Sequence, residues 1–259
     1  MLLQGKVAVI TGGGRGIGRE IALAYAREGA KLVLAARSVP ELEETRNAIT
    51  AMGGEVLVVP TDIRNEQSVA ALAQQTLEHF SRVDILVNNS GIAGPTAPLW
   101  EIASAEWEET FAVNVTGTFL CCRAFLPSMM QQSAGCIVII GSMTGKRHLP
   151  GRTPYAASKL ALVGLARTLA WEVGPYGIRV NVISPGPVEG ARIEGVLRKQ
   201  AEMKGISVEE TRRAFLSDSP LGRLIPPRDV AATAVFLASD LARSITGEDL
   251  NVSAGITMY

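Results

Sequence analysis

Excess charge of either sign is missing from this chain. Its 25 basic residues are matched by 25 acidic ones, and no run of like charge occurs in the 259 residues. That balance excludes the electrostatic footprint of a nucleic-acid or membrane-surface binder and leaves small molecules as the expected partners. Cysteine is sparse as well. Cys121, Cys122 and Cys136 have neither an even disulfide count nor a metal-ligand spacing, and their apolar neighbours suit reduced core thiols. There are two histidines: His79 at the end of a helical stretch, where a cation is favoured, and His148 in a loop between Ser142 and Tyr155. With no cluster of His, Cys and carboxylates, no metal is expected. No window reaches about 18 uncharged apolar residues, and the opening MLLQGKVAVITGGG lacks a basic segment followed by a long apolar one. These absences point to a soluble cytoplasmic protein.

What the chain does have is alternation. Hydrophobic residues make up 47%, enough for a well-buried core, and the length is compatible with one domain. Apolar, often β-branched runs at 6–11, 31–36, 55–59, 84–87, 136–140, 179–183 and 250–253 read as strands. Between them, helical periodicity follows Gly18 and recurs over 40–52, 66–80, 103–132 and 153–173, with Pro127 expected to kink or break the fourth of these helices. Strands alternating with helices of this length predict right-handed crossovers. The expectation is an α/β, single-domain, doubly wound Rossmann fold: a seven-stranded, mainly parallel sheet with helices on both faces. Residues 190–224 break the pattern. They follow Pro185-Gly186-Pro187 and read as two short helices outside the sheet, a substrate lid or else a plain surface hairpin.

Two stretches carry chemistry. The first strand runs directly into Gly12-Gly13-Gly14-Arg15-Gly16-Ile17-Gly18 and then a helix. Glycines there let the backbone approach a pyrophosphate, which the free N–H groups of the helix N-terminus attract. The second stretch is 152–159, RTPYAASK, in which Tyr155 and Lys159 stand one helical turn apart. An ammonium fixed beside a phenol favours the phenolate, and a phenol so lowered can exchange a proton with a substrate oxygen.

In this order and spacing, Thr11-Gly12-x-x-x-Gly16-x-Gly18, Asn88-Asn89-Ser90-Gly91, Asn114, Ser142, Tyr155-x-x-x-Lys159 and Pro185-Gly186 resemble the classical short-chain dehydrogenase/reductase family, and 3-oxoacyl-acyl-carrier-protein reductases within it. The resemblance covers nearly the whole chain. It implies that Tyr155 is the general acid or base, that Lys159 lowers its pKa and holds the nicotinamide ribose, that Ser142 holds the substrate oxygen, and that Asn114 anchors a water leading protons to Lys159. By residue type alone, Ser142 also reads as a turn serine and Asn114 as a helix residue satisfied by a nearby carbonyl. Asp62 corresponds to the residue that bonds the adenine amino group, though a turn aspartate is the plainer reading. Ile63 beside it, Asn89 and Gly91, and Gly14 and Ile17 in the first turn complete the expected nucleotide contacts with Pro185, Gly186 and Val188. Gly190 stands where the family often carries a threonine, and Ser90 replaces an alanine.

The coenzyme is read at the end of the second strand, Ala35-Ala36-Arg37. No carboxylate stands there to accept the ribose hydroxyls, and Arg37, with Arg15, suits a 2′-phosphate. NADP(H) is therefore expected, with NAD(H) the alternative. The predicted activity is interconversion of a carbonyl and an alcohol by hydride transfer, as in 3-oxoacyl-acyl-carrier-protein reduction or a small ketone or alcohol dehydrogenase. The alternatives are an NAD-dependent alcohol, polyol or sugar dehydrogenase, or a non-catalytic dinucleotide sensor. The resemblance also implies a homotetramer.

Overall fold

The computed structural model describes all 259 residues. Seven strands form one sheet: β1 (Val7–Thr11), β2 (Lys31–Ala36), β3 (Val56–Pro60), β4 (Ile85–Asn88), β5 (Gly135–Ile140), β6 (Ile178–Pro185) and β7 (Asp249–Val252). Their order is β3-β2-β1-β4-β5-β6-β7, and every neighbouring pair is parallel, so "mainly parallel" becomes wholly parallel.

The strands are apolar on both faces because both are covered. Alternate residues serve separate cores. Ala8, Ile10, Leu32, Leu34, Ile85 and Val87 join α1 (Gly16–Arg27), α2 (Val39–Ala51) and α9 (Pro227–Ala238) on one face. Val9, Val33, Ala35 and Leu86 join α3 (Glu66–Phe80), α5 (Gly117–Gln132) and α6 (Thr153–Val173) on the other. The three thiols are buried in these cores, and burial pushes those of Cys122 and Cys136 up to about 12 and about 11.

Two elements depart from the sequence expectation. The 103–132 segment is not broken at Pro127, since α5 continues to Gln132 with the proline inside it. Its buried face of Leu120, Cys121, Cys122, Phe125 and Met129 holds the helix through the one missing hydrogen bond. The irregularity lies earlier, as a π-helical turn over Ala112–Thr116 between α4 (Ser104–Phe111) and α5. The second departure is α9, which the sequence reading left unassigned. Its start is Pro227, inside a Pro-Pro pair that reads as loop but also suits a first helical turn. Tyr25 donates to the Ala234 carbonyl at 3.0 Å, locking α1 to it.

Strand order reverses between β1 and β4, opening a crevice beyond the carboxyl ends of the strands. The 190–224 excursion folds against that end as α7 (Ala191–Lys204) and α8 (Val208–Ser217), joined by Arg212 and Glu194 at 2.6 Å. Gln200 donates to the Pro150 carbonyl at 2.9 Å, and Arg147 pairs with Asp218 at 2.8 Å. The excursion therefore rests on the loop that precedes Tyr155.

Candidate active site

At the β1 end, Gly12 and Gly16 have φ of +66° and +54°, and a Cβ on Gly18 would lie 2.1 Å from the Gly12 carbonyl oxygen. Only glycine permits that approach of helix to turn. No side chain caps the N-terminus of α1, so its first N–H groups face the crevice for an anion. Asn89 braces the turn from β4: its side chain donates to the carbonyls of Thr11 (2.9 Å) and Gly12 (3.1 Å). The Thr11 hydroxyl in turn accepts from the N–H groups of Asn89 and Ser90, each at 3.0 Å. Across the crevice, Ile225 donates to the Pro187 carbonyl and Glu189 to the Ile225 carbonyl, both at 2.9 Å. Those bonds leave the intervening N–H and C=O of Val188 turned the other way, free for a ligand. Gly186, held by the Val252 carbonyl, backs the same loop. A dinucleotide fits this set of free backbone donors and glycine surfaces.

The outer contacts are less uniform. Arg37 is exposed and makes no ion pair, whereas Arg15, 80% exposed, reaches Glu41 at 3.2 Å. Asp62 is gripped by Arg64 at 2.6 Å and accepts the Arg64 N–H, as a turn aspartate does; Arg64 and, more weakly, Arg37 hold its carboxyl below the usual range. Ile63 packs its side chain on Gly117 in the core.

The reacting end is built on α6. Tyr155 and Lys159 share one face, with Lys159 Nζ 5.8 Å from the phenol ring centroid and bonded to the Ile140 carbonyl at 2.8 Å. Burial opposes ionisation of Tyr155, but Lys159, Arg192, the Ser142 hydroxyl and Arg152 outweigh it, so the phenol sits below its ordinary value. Burial, helped by Arg192, also lowers Lys159. Ser142 caps the turn after β5 by accepting the Thr144 N–H at 3.2 Å, and its own proton is directed at the Tyr155 oxygen. Both readings of Ser142 are thus compatible. Asn114, fully buried in the π-turn, accepts from Ile92 N–H (2.8 Å) and donates to Ile92 C=O (3.1 Å) and the Ser158 hydroxyl (3.0 Å). Both amide hydrogens and one lone pair of Oδ1 are so used, and the side chain fixes the Gly91–Ile92 backbone against Lys159. Arg152, whose guanidinium lies 5.0 Å from the Tyr155 ring centroid, was not singled out from the sequence; its place three residues before the tyrosine, one turn away, was the available signal. His148 is exposed, and no group of three or more His, Cys, Asp or Glu is placed to hold a metal.

A family profile described as enoyl-(acyl carrier protein) reductase matches residues 12–257. The chain belongs to this family, a branch of the classical short-chain dehydrogenase/reductases, and is an NAD(P)-dependent oxidoreductase. It is 36% identical to the 3-oxoacyl-[acyl-carrier-protein] reductase of Vibrio cholerae over 100% of both chains. Among solved structures, an NADPH complex of actinorhodin polyketide ketoreductase covers 98% of each chain at 32% identity and a TM-score of 0.94. NAD+-bound xylitol dehydrogenase gives 29% identity and a TM-score of 0.96, covering 98% of this chain and 100% of that one. No helix is long and apolar enough to cross a membrane.

Proposed function

We propose that the chain interconverts a carbonyl and an alcohol with NADP(H), using Tyr155 as the proton donor or acceptor. The observation that carries this is the placing of the Lys159 ammonium 5.8 Å from the Tyr155 ring centroid, one helical turn away, with the Ser142 hydroxyl on the same phenol oxygen. Two donors meeting at one point suit the oxygen of a carbonyl as it gains charge. When bound, the nicotinamide supplies or accepts the hydride. Lys159 keeps the phenol acidic, Asn114 fixes the strand end that backs it, and α7 and α8 close over the substrate as a lid. Enoyl reduction, the name attached to the family profile, delivers hydride to a carbon–carbon bond and makes less use of such an oxygen-directed pair.

Exposed Arg37, with no acidic residue in the Ala35-Ala36-Arg37 stretch at the end of β2, favours NADP(H), in line with the NADPH-bound ketoreductase. The xylitol dehydrogenase likeness favours the second reading, an NAD-dependent polyol or alcohol dehydrogenase. Leu160 (53% exposed) and Trp171 (88%) on one face of α6, with Phe119 on α5, support a homotetramer built through these helices. Replacement Tyr155→Phe should lower kcat for carbonyl reduction by roughly 10²- to 10⁴-fold while NADPH binding, read by fluorescence titration, stays near wild type. Turnover that survives the change sinks the assignment.

A further inference from the structure

Arg152 is buried, with 2% of its surface exposed, at the start of α6. Nη2 donates to the Ala93 carbonyl at 2.6 Å, and Nε has no hydrogen-bond partner in the protein. Two residues earlier in the same loop, the Gly91 carbonyl accepts from Arg192 at 2.7 Å. Neither guanidinium has a carboxylate partner, while the other arginines of this region do, Arg212 with Glu194 and Arg147 with Asp218. The groups that act on Arg152 are Tyr155 and a second cation, Arg192. The hydroxyl of Thr96 and Oε1 of Gln200, at the same corner of the crevice, are buried without protein partners as well.

Buried charges in proteins are ordinarily paired, because removing a lone ion from water costs several kcal/mol. Here the buried Arg152 guanidinium and Lys159 ammonium, with the exposed Arg192 at the rim, surround one phenol with no acid among them. The geometry points to a substrate that carries its own carboxylate close to the reacting carbon, a 2- or 3-oxo acid or the matching hydroxy acid, paired with Arg152. This rests on the reading that Tyr155 serves the carbonyl oxygen. The planar fork of a guanidinium suits two carboxylate oxygens, and its position over the Tyr155 ring keeps that carboxylate near the carbonyl rather than at the end of a long carrier. Arg152 cannot swing away easily, since Gly151 accepts the Ala97 N–H at 3.1 Å and Pro150 accepts Gln200 at 2.9 Å.

The test compares reduction of a series of 2- and 3-oxo acids with that of their methyl esters, in the wild type and in Arg152→Gln. The acids should exceed the esters at least about tenfold in kcat/KM, mostly through KM. Arg152→Gln should cost the acids at least about tenfold more in kcat/KM than it costs the esters, whose own loss reads the effect of the lost cation on Tyr155. Arg152→Lys should restore only part of the preference, lacking the fork. Esters reduced as well as acids by the wild type, or a loss in Arg152→Gln that falls equally on both, overturns the proposal. If Arg152→Gln fails to fold, the wild-type ratio and Arg152→Lys decide. Calorimetric binding of 3-oxobutanoate to the NADP+-saturated protein separates the two claims. Binding that depends on Arg152 in a wild type with no turnover keeps the anion site and sinks the reaction, whereas turnover of acids and esters alike does the reverse.

Discussion

The two ends of the crevice are built on opposite plans. Around the glycine turn, recognition is done by backbone: N–H groups of α1, carbonyls bonded by Asn89, and a Gly18 so close to Gly12 that no side chain fits. Around Tyr155 it is done by side-chain charge, with three cations and no acid against one phenol. A backbone site fails when its shape is spoiled, and a charge site when its electrostatics are. That difference sets what each substitution should do.

The largest effect is expected at the backbone end. Gly18→Ala places a methyl 2.1 Å from the Gly12 oxygen and 2.4 Å from Asn89 Nδ2. We expect a loss of about 1–3 kcal/mol in urea unfolding together with undetectable coenzyme binding. A variant that binds NADPH normally would show that the turn tolerates movement and would weaken the contrast. Next comes the rim of the same site. Arg37→Asp should lower the NADPH-to-NADH ratio of kcat/KM by roughly 10- to 100-fold, the worth of one charge-assisted bond. A wild-type preference for NADH refutes the NADP(H) reading before any mutation is made.

At the charged end the expected change is a displacement along the pH axis. Alcohol oxidation needs the phenolate, so its rate should rise with pH along a limb whose midpoint lies below the ordinary phenol value of about 10. Lys159→Gln removes the strongest cation acting on Tyr155, the neutral phenol gains, and the limb should move to higher pH. A limb that stays in place would assign the lowering to the arginines. The smallest effect belongs to the 190–224 excursion. Ser207 and Glu210 cap α8 reciprocally, at 2.9 and 3.1 Å. Ser207→Ala should cost about 1 kcal/mol, visible as faster amide exchange across 208–217 with little change in Tm.

The same contrast explains what could be read beforehand. The glycine turn, the alternating strands and the bounds of α3 and α6 are local patterns of spacing, and local patterns survive in a sequence. Tyr155 and Lys159 were legible because one helix carries both. Arg152 and Arg192 were not, since their charge acquires meaning only when residues 91–93, a distant strand end, supply the carbonyls that hold them. The π-turn at Asn114 likewise depends on Ile92 and Ser158, far off in the chain, while Pro127 advertised a break that packing of α5 overrides.

The strand order also has a consequence for how the polypeptide assembles. Because β1 lies between β2 and β4, the middle of the sheet cannot be zipped shut until residues 85–88 have been made, and α2, β3 and α3 must first loop past. Such non-local pairing is slow. A nascent chain ending before β4 would therefore display one unpaired side of β1, and it is Asn89, arriving directly after β4, that stitches this seam to Thr11.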